Sequence, residues 1–427
     1  MMNQLKRVAI IGGTRIPFCR SNSAYVQLSN LDMLADTLQR LIDQFGLGGR
    51  KIDEVIAGAV TTHSRDWNLA REAVLSTSLS PTTPGTTLQM ACGTSLQAAL
   101  LVGARIATGQ IDCAIAAGSD TTSDAPLVLQ PRLAKRLLGA SQAKSFPAKM
   151  RSFKGFGLSE LAPQAPANGE PRTRLSMGQH CELMAKQWGI SREAQDQWAL
   201  ESHLKAAAAY EEGFFDDLLN PYQGVARDNN MRPDSSLDKL AALKPVFDRS
   251  AQGTLTAANS TPLTDGAAAV LLCSEDYAKK NGLAVQAWLT LGRTSAVDFV
   301  GGDGLLMAPT VAVSELLQAA QLTLQDFDYY EIHEAFAAQV LCTLKAWEDP
   351  AYCQEILGLP HALGSIERNR INVKGSSLAV GHPFAATGAR IIGTLAKLLE
   401  KQSGKRGLIS ICTAGGMGAA AILESAN

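Results

Sequence analysis

No apolar run in the 427-residue sequence approaches the ~18 residues that a membrane-spanning helix needs. Lys6-Arg7 followed by residues 8–13 has the outline of a signal peptide, but the apolar part is too short and ends in Gly12-Gly13. It reads instead as a buried first strand. Charge of one sign is also missing: 39 basic residues face 40 acidic ones, a formal net charge of -1, which argues against a dedicated nucleic-acid binder. The eight cysteines (19, 92, 113, 181, 273, 342, 353, 412) form no C-x-x-C and no Cys/His pairing at zinc spacing, so neither a metal site nor a disulfide scaffold is expected. Scattered thiols without a secretory leader point to a reducing cytoplasm. Aromatics are scarce, at 6%.

What is present is 46% hydrophobic residues against 19% charged, enough for a large packed core. At about 150 residues per domain the length suggests two to three domains. Abundant Gly and Ala suit close helix–sheet packing in an α/β protein. The pattern predicts strands at 8–11, 54–60 and 111–117, alternating with helices at 30–45, at 68–78 and after Cys92. Such alternation implies a parallel or mixed sheet covered on both faces. Residues 124–253 differ, with Pro-punctuated loops, basic turns and one long helical stretch at 191–212, and read as an insertion. Strands are expected again within 254–272 and from 287 to the end. The boundaries expected are an N-terminal half at 1–123, completed by 254–283, then the insertion, then a C-terminal half at 284–427.

One internal similarity organises the chain. Met90-Ala91-Cys92-Gly93 opens a helix of small residues, followed by a strand that ends in Ala117-Gly118. Gly381-His382-Pro383 opens a comparable helix, followed by a strand at 408–411 and then Cys412-Thr413-Ala414-Gly415-Gly416. Two related halves that present chemistry at the carboxyl ends of strands place it at a shared cleft.

Cys92 lies at a predicted helix N-terminus, where free N–H groups and the helix dipole favour a thiolate. Taken alone, such a cysteine is more often a buried, inert thiol. His382 also precedes a helix, an end that does not stabilise imidazolium and so favours the neutral form of a general base; the alternative is a structural loop histidine. Cys412 enters a Gly-rich turn whose N–H groups can approach an oxyanion, although a plain turn or a phosphate loop has the same look. The spacing is not that of a dinucleotide-binding G-x-G-x-x-G loop. His333, in His333-Glu334-Ala335-Phe336, reads as a metal ligand, a core polar group or an oxyanion donor; without a second histidine it is not a zinc-protease motif.

Together these pieces resemble the thiolase family, with Cys92 in the nucleophile motif, His333-Glu334-Ala335-Phe336 where Asn-Glu-Ala-Phe is more common, Gly381-His382-Pro383, and Cys412 ahead of Gly415-Gly416. Residues 13–18 and 256–267 extend the resemblance over essentially the whole chain. His333 and residues 384–388 are similar to the branch that forms the thiolase subunit of the fatty-acid β-oxidation multienzyme complex. The chain departs from the common pattern at Gly93-Thr94-Ser95 and at Thr413-Ala414, where biosynthetic members usually carry Gly in the second place.

The resemblance implies a five-layered α-β-α-β-α thiolase fold, with the insertion covering a coenzyme A site. It implies an acetyl-CoA C-acyltransferase that cleaves 3-ketoacyl-CoA with CoA as substrate and no resident cofactor. In it Cys92 is the acyl-carrying nucleophile and His382 its base; His333 and His382 are oxyanion donors, and Cys412 is the proton donor and acceptor. The backbone N–H groups of Cys92 and Ala414 form a second oxyanion site, and Met177 and Thr261 lie along the pantetheine arm. Partners implied are a second copy of the chain and a hydratase/dehydrogenase subunit. The rivals are a biosynthetic acetoacetyl-CoA thiolase, a decarboxylating ketoacyl synthase (against which Cys412 argues) and an inactive scaffold subunit. Residues 125–159 hold seven basic residues and no acidic one, with Leu133 and Leu137 on one face of a short helix. They read as a docking face for an anionic membrane or a partner, as an attractor for CoA phosphates, or as a solvated loop.

Overall fold

The computed structural model describes residues 5–427. The chain starts with β1 (Val8–Arg15), β2 (Cys19–Arg20), α1 (Asn30–Gln44), β3 (Glu54–Gly58), α2 (Leu69–Leu75), β4 (Gly85–Thr87), α3 (Thr94–Ala107) and β5 (Cys113–Asp120). A helical segment follows, with α4 (Pro131–Gln142), α5 (Phe146–Arg151), α6 (Met177–Gln187), α7 (Arg192–Glu211) and α8 (Leu237–Ala241). Next come β6 (Thr264–Ser274), α9 (Glu275–Asn281), β7 (Ala287–Ala296), α10 (Ala308–Ala320), β8 (Tyr329–Ile332), α11 (Ala337–Glu348) and α12 (Pro350–Glu355). The chain closes with α13 (Ser377–Val380), α14 (Thr387–Glu400), β9 (Arg406–Thr413) and β10 (Met417–Ser425).

The strands run in the order β4-β3-β5-β6-β1-β7-β10-β9-β8, with β2 added to β6. Only three residue pairs join β1 to β7, and the pattern repeats on either side of that join. β3 is parallel to β5, and β6 is antiparallel to both β5 and β1. Likewise β8 is parallel to β9, and β10 is antiparallel to both β9 and β7. The two-fold similarity expected from the sequence is therefore built into the ladders. α3 and α14 pack against each other between the half-sheets, α1 covers one outer face and α10 the other, which makes five layers.

The sequence explains this layering. β5 and β6 are buried along their whole lengths, as strands covered on both faces must be, and they read as runs of Ala, Val, Leu and Ile. α1 is fixed by a Ser29/Asp32 capping box and buries Met33, Leu34, Leu38, Leu41 and Ile42 on one side. The central layer needs small residues: a Cβ on Gly388 would lie 2.3 Å from the backbone nitrogen of Leu96. One on Gly118 would lie 2.0 Å from the carbonyl oxygen of Ala385.

One expectation changes. Strand β6 starts only at Thr264, because the buried Asn259 side chain accepts from the Thr256 N–H and donates to Asp196 and the Thr254 carbonyl. These bonds replace ladder bonds, and Pro262 has no N–H to give. In the basic segment Leu133 and Leu137 lie one turn apart on the same face of α4, Leu133 buried and Leu137 43% exposed. Arg136 anchors α4 by pairing with Glu160 and donating to the carbonyls of Ser152, Lys154 and Gly155. All eight cysteines are free and buried. Among the described residues no helix is long and apolar enough to cross a membrane.

Candidate active site

The site forms where α3, α14 and the ends of β8 and β9 converge. Cys92 lies in a 3-10 turn, Ala91–Gly93, directly before α3. Ala91 enters the turn at φ +44°, a left-handed conformation that a side-chain-bearing residue adopts at some cost. Gly93 lets this turn close on β9, since a Cβ there would lie 3.0 Å from Cγ2 of Thr413. Cys412, on β9 opposite Gly418, is thereby brought to the same centre as Cys92.

His382 follows Gly381, whose φ of +104° only glycine adopts readily. Its backbone N–H donates to Thr264 Oγ1 at 2.7 Å, which ties the loop to β6. Its Nδ1 lies 2.6 Å from Thr387 Oγ1, and its Nε2 lies 3.1 Å from Cys92 Sγ. The ring of His333 packs 4.1 Å from that of His382, centroid to centroid. His333 Nδ1 is 2.8 Å from Ser377 Oγ, while its buried Nε2 has no protein partner. Glu334 turns away from the centre and accepts from Trp198 Nε1, Ser202 Oγ, Asn372 Nδ2 and the Leu378 N–H. It braces α7 and the 372–378 loop around the site and gives His333 no carboxylate partner. Ligand atoms of Cys92, His333 and His382 all lie within 4.8 Å of one another, close enough for a metal ion, and the 3.1 Å contact of Cys92 with His382 is within reach of direct proton transfer.

Two electrostatic expectations are corrected. Cys92 does not rest as a thiolate: burial, and then the Asp120 carboxylate, push its thiol up to about 12. The N–H groups of Ala414 and of Cys92 itself act on the sulfur in the opposite sense and are outweighed. His382 is neutral for a different reason than a helix end, since the 3-10 turn Phe384–Ala386 separates it from α14. Burial first, and the Arg390 charge second, lower it to about 3. Burial likewise holds His333 well below, and Cys412 well above, their ordinary values. The centre is a set of uncharged donors and acceptors in contact, suited to moving a proton from sulfur to imidazole when substrate arrives.

Met177 begins α6 and packs on the apolar cluster that holds Cys412, Ala335 and Phe336. Thr261 donates to the Ala335 carbonyl through both its N–H and its hydroxyl. Sequence patterns did not single out Ser377, Thr387, Thr264 or Arg390. Their roles arise from contacts that sequence spacing alone does not reveal.

Residues 8–276 match the family model of the thiolase N-terminal domain, and residues 288–425 match that of the thiolase C-terminal domain. A 3-ketoacyl-CoA thiolase of Yersinia pestis (strain Pestoides F) is 41% identical over 424 residues, 98% of this chain and 97% of that protein. The acetyl-CoA acetyltransferase of Bacillus anthracis superposes with a TM-score of 0.82 at 28% identity, covering 99% of each chain. The human mitochondrial 3-ketoacyl-CoA thiolase in complex with CoA superposes with a TM-score of 0.82 at 26% identity, also over 99% of each chain.

Proposed function

The chain belongs to the thiolase family, and we propose that it cleaves 3-ketoacyl-CoA with CoA to acetyl-CoA and a chain-shortened acyl-CoA, the last step of fatty-acid β-oxidation. The observation that carries this reading is the 3.1 Å contact between Cys92 Sγ and His382 Nε2, with His333 and Cys412 beside it. His382 takes the thiol proton as Cys92 attacks the 3-keto carbon. The bond between carbons 2 and 3 then breaks, and its electron pair enters the thioester enolate, whose oxygen is held by N–H groups of His333 and His382. Cys412 protonates carbon 2, and acetyl-CoA leaves. The Cys412 thiolate next takes the proton of incoming CoA, whose sulfur attacks the acyl group on Cys92. The N–H groups of Cys92 and Ala414 hold that tetrahedral oxygen, a role supported by their direction toward the sulfur. Collapse releases acyl-CoA, and His382 returns its proton to Cys92.

Residues 124–253 would cover the CoA site as an insertion between 1–123 with 254–283 and 284–427; Glu170 of this segment already accepts from the Gly415 N–H. Met177 and Thr261 would line the pantetheine arm, as their packing beside Cys412 and Ala335 supports. We place the enzyme in the cytoplasm, as a homodimer joined to a hydratase/dehydrogenase subunit. Residues 125–159 would touch anionic membrane. Six of their seven basic side chains make no bond within the described fold, and Leu138, Phe146 and Met150 are more than half exposed beside them. Replacing those six with Gln should reduce sedimentation with anionic vesicles and spare short-chain turnover; unchanged sedimentation would remove the membrane assignment.

The deciding assay is thiolysis of four- and sixteen-carbon 3-ketoacyl-CoA by wild type and Cys92→Ala. Long-chain activity abolished by the substitution is expected. Activity on acetoacetyl-CoA alone would favour the biosynthetic enzyme instead.

A further inference from the structure

His333 can place a hydrogen in the reaction centre only in one of its two neutral tautomers, and the structure around its far side determines which. Arg390, on α14 and 5% exposed, reaches Ser377 Oγ with Nη2 at 2.7 Å and Ser376 Oγ with Nη1 at 3.2 Å. A guanidinium donates and cannot accept, so Ser377 Oγ is the acceptor of that bond. The hydroxyl has one hydrogen left to place. Among the described residues its other partner is His333 Nδ1, at 2.8 Å. The hydrogen therefore goes to Nδ1, and the hydrogen of the neutral ring sits on Nε2. That atom is buried, has no protein partner, and belongs to the ring packed on His382 at the reaction centre. The opposite tautomer would bury a serine hydrogen without an acceptor and aim a lone pair at the developing enolate oxygen, which repels it.

We propose that Ser377, oriented by Arg390, is a positioning residue that fixes His333 as the Nε2–H tautomer and so makes it an oxyanion donor. The proposal rests on the role given to His333 above. Ser377 touches no reacting atom; it acts through the ring. Burial, together with the neighbouring His382 and Arg390, keeps that ring neutral, which is why its single hydrogen must be assigned by a partner.

The test uses the full chain labelled with 15N-histidine, a sparse spectrum because the sequence has six histidines, with His333 identified by its loss in His333→Asn. In wild type the His333 signals should be those of the Nε2–H form; an Nδ1–H form would overturn the proposal without any variant. In Ser377→Ala the tautomer should become mixed and kcat for thiolysis should fall about 10-fold, with KM little changed. Ser377→Thr, which keeps the hydroxyl, should restore both. In a His333→Asn background Ser377→Ala should add little further loss, because an amide has no tautomer to fix. An equal loss in both backgrounds, or an unchanged spectrum in Ser377→Ala, would mean that Ser377 only supports the fold. If wild type cleaves no 3-ketoacyl-CoA, the proposed function fails, while the spectrum still decides the tautomer.

Discussion

At the scale of residues, burial outweighs the local dipoles that a sequence suggests. Cys92 precedes a helix and receives two backbone N–H groups, yet its thiol is pushed up to about 12 because almost no water reaches it. In the reaction proposed above, His382 makes the nucleophile on demand, and no thiolate–imidazolium pair is stored. Iodoacetamide inactivation should accordingly climb about tenfold per pH unit from neutrality upward, as the thiolate fraction of a high-pKa thiol does. A plateau reached near pH 7 would show a preformed ion pair. Cys92, His333, His382 and Cys412 were all legible in sequence, because each stands beside glycines, prolines or a fixed tetrapeptide that breaks the surrounding periodicity. Ser377 was not: it sits 44 residues from the histidine it touches and looks like any loop serine.

At the scale of elements, the reaction centre depends on how closely α3 and α14 approach. Both helices start at the site, Cys92 ahead of one and His382 ahead of the other, so their separation sets the sulfur–imidazole distance. Gly388→Ala should push them apart, since its Cβ would fall 2.3 Å from the Leu96 backbone nitrogen. Overpacking of this kind costs about 1–3 kcal/mol, so a lower melting temperature and reduced thiolysis are expected together. Full activity at an unchanged melting temperature would show that the helices do not set the geometry. Most of the elements that sequence periodicity placed lie within a few residues of those observed. It missed the late start of β6, where Asn259 takes over the hydrogen bonding of a strand.

At the scale of the whole molecule, the buried neutral groups make stability depend on pH. His333 and His382 are held neutral, His203 is lowered to about 4 and His180 is also lowered, in each case chiefly by burial. A histidine with a depressed folded pKa contributes stability above its unfolded value, near 6.5, and loses it as pH falls. Glu331, raised to about 8 by burial, acts in the opposite direction between pH 8 and 4.5, and Asp120, also raised by burial, acts the same way above its ordinary value. Four such histidines outnumber the two raised carboxyls, so below pH 6.5 the unfolded chain binds more protons than the folded one. Stability should therefore fall as pH drops from roughly 6 to 5. Urea midpoints across that range measure this, and a flat profile would mean that water reaches the histidines.

The chain by itself determined its class, its two-fold repeat and the four residues to which the proposed chemistry is assigned. These follow from local signals: apolar runs long enough for buried strands, glycines where backbones meet, and reactive side chains set in turns. Tertiary structure alone decided protonation, tautomer and distance. Those properties depend on what surrounds a group in space, and the surroundings of Cys92 come from residues 290 positions away at His382 and from the turn at Ala414. Burial is a property of the assembled layers, so no stretch of sequence shows that the helix end before α3 would fail to hold a thiolate. The same holds for His333, whose hydrogen is placed by a serine and an arginine that only the fold brings to it.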